Sequence, residues 1–177
     1  MLTYMSIDPI LQSLLADGVL VELPSLFTGL ETARTMIVSR DILAAIAEPF
    51  PETEEGVRRE ELRVWLDAFS EGGEISVAED PHKKPPDAML ARVDPVADEF
   101  WSIRITEPED TSGIRALGAF AAKDTFVALT WDYREHIGED FNDAVADARE
   151  AWRDLFGDEP PFSGENLDEY LSNYIPA

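Results

Sequence analysis

Two short runs hold the residues best placed to do chemistry. Residues 100–105 read FWSIRI and residues 113–120 read GIRALGAF, and each carries one arginine, Arg104 or Arg115, inside an alternating apolar pattern. The chain has 14 basic residues against 37 acidic ones, so a cation in a strand is a scarce residue. Two uses fit it. A guanidinium presents a planar fork of donors to a phosphate or a carboxylate. It also pairs with a cross-strand acid as ordinary sheet structure, and Glu99, Glu107 and Asp132 are available for that. Lys83 and Lys84 form the only lysine pair, in the turn-rich loop EDPHKKPPDAM at 79–89. Solvated loop cations are the plain reading of that pair.

Other chemistries have less support. His82 and His136 are the only histidines and neither sits at ligand spacing, so a metal site would rest on carboxylates and none is assigned. There is no cysteine, hence no disulfide, thiolate ligand or thiol nucleophile. A glycine-rich phosphate loop and a Gly-x-Ser-x-Gly elbow are both missing, and no cofactor is expected. No apolar run reaches 18 residues, so no membrane span is expected. The first residues, MLTYMSIDPILQSLLADG, lack a basic leader, and the cytoplasm is the default expectation.

Net charge is −23 and unevenly spread. Residues 135–177 carry 12 acids and 2 bases, whereas residues 82–134 carry 9 acids and 7 bases. A chain this acidic repels duplex nucleic acid, which argues against a nucleic-acid partner for the whole molecule. The acidity reads as a well-solvated surface, as salt adaptation, or as a face for a basic protein partner.

The elements that must position these residues are an α+β set. Asp8-Pro9 starts a helix that Gly18 stops, VLVEL at 19–23 suits a short strand, and residues 30–47 read mostly helical, although TMIVS is β-branched enough for a strand. The acidic, Pro-rich EPFPETEEG at 48–56 is the best internal boundary, separating an N-terminal helical extension (1–56) from an α+β unit (57–177), unless the whole is one domain. Residues 57–70 form a helix with Leu62, Trp65, Leu66 and Phe69 on one face. EISVA at 74–78 is ambiguous and AMLARV at 88–93 suits a strand. Three strands follow at 100–105, 114–122 and 125–133, and their short connections make an antiparallel meander. Gly118 in the middle one signals a bulge or a close backbone approach. A long helix at 141–156 buries Phe141, Val145, Trp152 and Phe156 and exposes Asp143, Asp147, Glu150 and Asp154. A short helix follows, capped near Ser163 or Asn166.

The expected fold is therefore a central antiparallel sheet of three to five strands with the long helix packed on one face. Period-two alternation places Arg104 and Arg115 on one face and Trp101 and Trp131 on the other. Trp152 pairs most naturally with those tryptophans, which would leave the arginine face open.

The order from 57 to 156, helix, glycine turn, lysine loop, FWSIRI, GIRALGAF, FVALTWDYRE, helix, resembles the RelE/HigB/ParE superfamily of small toxins. In the resemblance Arg104 takes the basic position of the first strand and Arg115 the arginine of the second. WDYRE puts Tyr133 and Arg134 at the end of the third. The resemblance implies catalytic roles for Arg104, Arg115, Tyr133 and Arg134 and substrate binding by Lys83 and Lys84. It also implies an antitoxin as partner. Toxins of this kind are basic, because cleavage needs cations around the scissile phosphate. A chain at −23 fits a degenerate or non-catalytic relative better. The alternative is an acidic interaction module or accessory protein that binds a basic partner.

Overall fold

The alternation at 100–133 builds the middle of a sheet that is wider than the sequence suggests. The structure is a computed structural model that describes residues 7–24, 33–108, 113–139 and 141–177. Its strands are β1 (Leu20–Glu22), β2 (Thr35–Ser39), β3 (Ile75–Ala78), β4 (Leu90–Arg92), β5 (Phe100–Ile105), β6 (Ile114–Ala122), β7 (Thr125–Tyr133) and β8 (Tyr174–Pro176). They form one sheet in the order β1-β2-β7-β6-β5-β4-β3-β8. The run β4-β5-β6-β7 is antiparallel, as the short connections require. Parallel pairs flank it, β2 with β7 on one side and β3 with β4 and β8 on the other.

The expectation of three to five antiparallel strands is thus corrected to eight strands in a mixed sheet. The N-terminal segment is not only helical, because β1 and β2 extend this sheet next to β7. At 35–45 the helical reading gives way to β2 followed by a short helix α2 (Arg40–Ala45), with the Ser39 hydroxyl accepting from the Ile42 amide at the junction. Residues 30–32 of that reading lie outside the described residues, as does part of the turn at 106–113.

Helices cover both faces. On one lie α2, α3 (Glu54–Ser70) and α5 (Leu167–Tyr170), whose Leu62, Leu66, Phe69 and Tyr170 bury Trp101, Ile103, Phe120 and Phe126. On the other lie α1 (Asp8–Ala16) and α4 (Asn142–Phe156), whose Leu11, Val145, Trp152 and Phe156 bury Phe100, Leu117, Val127 and Leu129. Trp152 therefore meets Phe100, ring centroids 6.2 Å apart, and not Trp101. This corrects the expectation that α4 lies on the tryptophan face and leaves the arginine face open. The physical reason is that β6 is apolar at both parities, the pattern of a strand buried on two sides.

Gly118 sits at a register shift between β6 and β7, and a Cβ there would come within 2.0 Å of the Val127 carbonyl oxygen. Both readings of that glycine hold, since the bulge and the close approach coincide.

The chain after α4 is clasped to the sheet by a buried polar cluster. Arg92 Nη2 donates to Glu99 Oε2 at 2.5 Å and to the Tyr170 hydroxyl at 3.1 Å. Tyr170 in turn donates to Glu99 Oε2 at 2.7 Å, and the Ser163 hydroxyl donates to Glu99 Oε1 at 2.9 Å. Among the described residues, no helix is long and apolar enough to cross a membrane.

Candidate anion-binding site

Arg104 and Arg115 stand directly opposite one another on β5 and β6. They share the face of Phe100, Ser102 and Leu117, opposite Trp101 and Trp131, as the alternation predicts. Two like charges in directly opposed positions are unfavourable unless something compensates them. Backbone carbonyls provide part of that. Arg104 Nη1 donates to Pro85 O at 2.7 Å and to Ala88 O at 3.2 Å, which ties the 79–89 loop to β5. Arg115 Nη1 donates to Ile114 O at 2.9 Å and to Ile105 O at 3.2 Å.

Two further cations join them. Arg134 follows the end of β7, where its amide donates to Gly113 O at 3.0 Å and its Nη1 to Ile137 O at 2.9 Å. Lys84 arrives on the loop that Arg104 holds. The four basic side chains line one pocket of about 230 Å³, floored by Ala91 and Ser102. Among the described residues, Glu139 is the one carboxylate along its lining. Phe141 closes one side, with Arg134 Cζ 5.0 Å and Lys84 Nζ 5.9 Å from its ring centroid. It is the residue before α4 and holds a left-handed backbone, φ 61°. A bulky residue rarely adopts that conformation. It turns the ring toward the two cations, a contact that is itself attractive.

Among the described residues no carboxylate lies within 4 Å of the basic groups of Lys84, Arg104, Arg115 or Arg134. The acids expected as cross-strand partners make their close contacts with other groups, although Asp132 stands directly opposite Arg115 on β7. Glu99 pairs with Arg92, Asp132 accepts from the Tyr133 amide and sits 2.9 Å from His136 Nδ1, and Glu107 lines a groove beside α3. Burial, then Arg104 and Arg134, push the Arg115 guanidinium down to about 10. The Lys84 ammonium is held below the ordinary lysine value first by lost hydration and then by Arg104 and Arg115, with Asp94 opposing. Arg104 is lowered by burial, with Asp87 opposing. The three lowered values belong first to partly desolvated cations.

Two of the six residues singled out from the sequence fall outside the pocket. The Tyr133 ring lies on the α3 side of the sheet under the Arg58 guanidinium, 4.6 Å from its Cζ, and beside Trp131. Burial first raises its phenol pKa. Arg58 is itself committed to Glu135 and Glu54. Lys83 points to solvent, 3.8 Å from Asp80. Phe141, Ser102 and Glu139 belong to the pocket and were not singled out. Helical periodicity puts Phe141 in the buried stripe of α4, whereas it is a half-buried cap. Its alternation with Arg104 on one face of FWSIRI was the signal for Ser102.

A second cavity of about 330 Å³ shares Phe141 and has the opposite character, with Asp41, Asp132, Asp143 and Asp147 in its lining. No group of three or more His, Asp or Glu among the described residues could hold a metal ion. No family model matches the sequence, and no match was found among the curated proteins or the solved structures.

Proposed function

We propose that this chain is a non-catalytic, RelE/HigB-like binding protein that holds a phosphate or carboxylate group between Arg104, Arg115, Arg134 and Lys84. The observation that carries the reading is the convergence of four cations without a carboxylate partner within 4 Å among the described residues. In a chain of net charge −23, a cluster of this kind is held against its own repulsion. Arg104, Arg115 and Arg134 each use Nη1 on backbone carbonyls, which fixes the guanidinium and leaves its other nitrogens for a ligand. Such fixed, partly desolvated donors bind an anion without first paying to be ordered.

Strand cleavage would also need an acid and a base flanking the phosphorus. Tyr133 is on the other side of the sheet, and His82 and His136 sit 2.9 Å from Asp94 and Asp132. Among the described residues, the exposed Glu139 is the one carboxylate in the pocket lining, which holds no imidazole or phenol. Binding without turnover is what these groups can perform.

The test is thermal unfolding in sodium phosphate against sodium chloride at equal ionic strength. Phosphate should raise the midpoint, by the equivalent of about 2.7 kcal/mol once it exceeds the dissociation constant a hundredfold. Arg115→Gln and Arg134→Gln should abolish the difference, and induced expression of the wild type should not arrest growth. Equal midpoints in the two salts would remove the anion site. If the protein instead retained a basic protein with salt-weakened affinity, the function would move to the exposed acids of α4.

A further inference from the structure

We infer that the pocket takes the phosphate group of a small monoester, bound as its dianion, and excludes the internal phosphodiesters of a polynucleotide. This rests on the anion-binding reading above and narrows it. Three observations carry it.

The first is size. About 230 Å³ is smaller than the cavities that enclose drug-sized ligands. It suits a phosphate with a few atoms beyond it and leaves the rest of the molecule outside.

The second is charge. Among the described residues, three arginines and a lysine share the pocket with one carboxylate, Glu139. A phosphate monoester carries about −1.5 to −2 at pH 7, with a second pKa near 6. A diester carries a single negative charge and one fewer terminal oxygen to meet the donors, and a carboxylate is likewise a monoanion. Burial first, and then repulsion from neighbouring cations, lowers Lys84 and Arg115, and a dianion relieves that repulsion most.

The third is the surroundings. A polynucleotide threaded through the site must leave it on two sides. Across Phe141 the next cavity is lined by Asp41, Asp132, Asp143 and Asp147. Near the lysine loop, Asp87 and Asp94 act on Arg104 and Lys84. Neighbouring phosphates would approach these acids, and the repulsion is only partly screened at physiological salt, where the Debye length is about 8 Å. A lone monoester brings no neighbouring phosphate to these acids and, within the pocket, faces the four cations and Glu139.

Isothermal titration calorimetry on the whole chain tests this with four probes: O-phosphoethanolamine, orthophosphate, dimethyl phosphate and a short RNA without terminal phosphates. O-phosphoethanolamine should bind at least about tenfold tighter than dimethyl phosphate or the RNA. Its affinity should fall below about pH 6 as the monoester gains a proton, while that of dimethyl phosphate should not. Protonation of Glu139, Asp87 or Asp94 would act in the opposite sense, so the fall belongs to the ligand. Orthophosphate separates free phosphate from a monoester, and if it alone binds, the monoester assignment is overturned. Arg104→Gln and Arg134→Gln should each weaken the monoester at least about tenfold, with folding checked by circular dichroism. Lys84→Gln, on an exposed loop, is the variant least able to unfold the chain. RNA or dimethyl phosphate binding as tightly as the monoester through the same arginines would overturn this inference and leave the anion site standing. Binding of every probe that ignores all three substitutions would overturn both.

Discussion

Lys84 separates stability from binding at the residue scale. Burial first, and then repulsion from Arg104 and Arg115, makes the folded protein disfavour its charged ammonium. Lys84→Gln should leave unfolding free energy within about 0.5 kcal/mol of wild type, shifted toward greater stability. The same substitution should weaken phosphate binding. The sign with pH follows from linkage. The folded pKa lies below the ordinary 10.5, so between the two values the unfolded state binds more protons than the native state. Any excess stability of the variant should therefore shrink as pH rises through that window, and denaturant titrations at pH 7 and in the alkaline range would measure it. A variant clearly less stable than wild type at pH 7 would mean that Lys84 packs as structure. The side of the sheet on which Arg104 and Arg115 lie was legible from alternation alone. That they are joined by Lys84 and Arg134, and that Tyr133 is not among them, was not legible, because loop and turn closure decide it. Arg104 draws the lysine loop in through the Pro85 and Ala88 carbonyls, a contact between residues 16 to 19 apart. Period-two logic does put Tyr133 opposite Asp132, and WDYRE could have been split on that ground.

At the scale of elements, the meander β5-β6-β7 was readable because its connections are short and its ends are marked by turns. Of the strands at its flanks, β1 and β4 were readable within VLVEL and AMLARV, β2 and β3 only as one of two readings, and β8 not at all. β3 and β8 have 4 and 3 residues, and their parallel pairing joins Ile75 to Tyr174, far away in sequence. The misplacement of α4 has a similar origin. With both parities of β6 apolar, only the complete set of partners decides which face receives which helix. The C-terminal clasp then fixes what the short β8 cannot hold alone. Arg92 and Glu99 are 7% and 9% exposed, so removing one partner strands the other charge. Arg92→Ala should lower unfolding free energy by about 3–5 kcal/mol. Tyr170→Phe should lower it by about 1–3 kcal/mol, since Glu99 loses one donor and keeps two. Urea denaturation gives both numbers, and an Arg92→Ala variant as stable as wild type would show that the cluster is dispensable.

Across the whole molecule the design is one of contrast. The chain carries a net charge of −23, while four basic side chains line one small pocket on the central strands, beside backbone carbonyls and the Phe141 ring. Arg58 and Arg92, buried and paired with Glu135 and Glu99, are the internal comparison for Arg104, Arg115 and Arg134. Nitrogen-15 NMR of the arginine side chains during a phosphate titration at constant ionic strength examines all five at once. The Nε–H signals of Arg104, Arg115 and Arg134 should shift saturably with one shared dissociation constant, while those of Arg58 and Arg92 stay still. Absence of saturable shifts at the first three, or equal drift of all five, would contradict a built anion site.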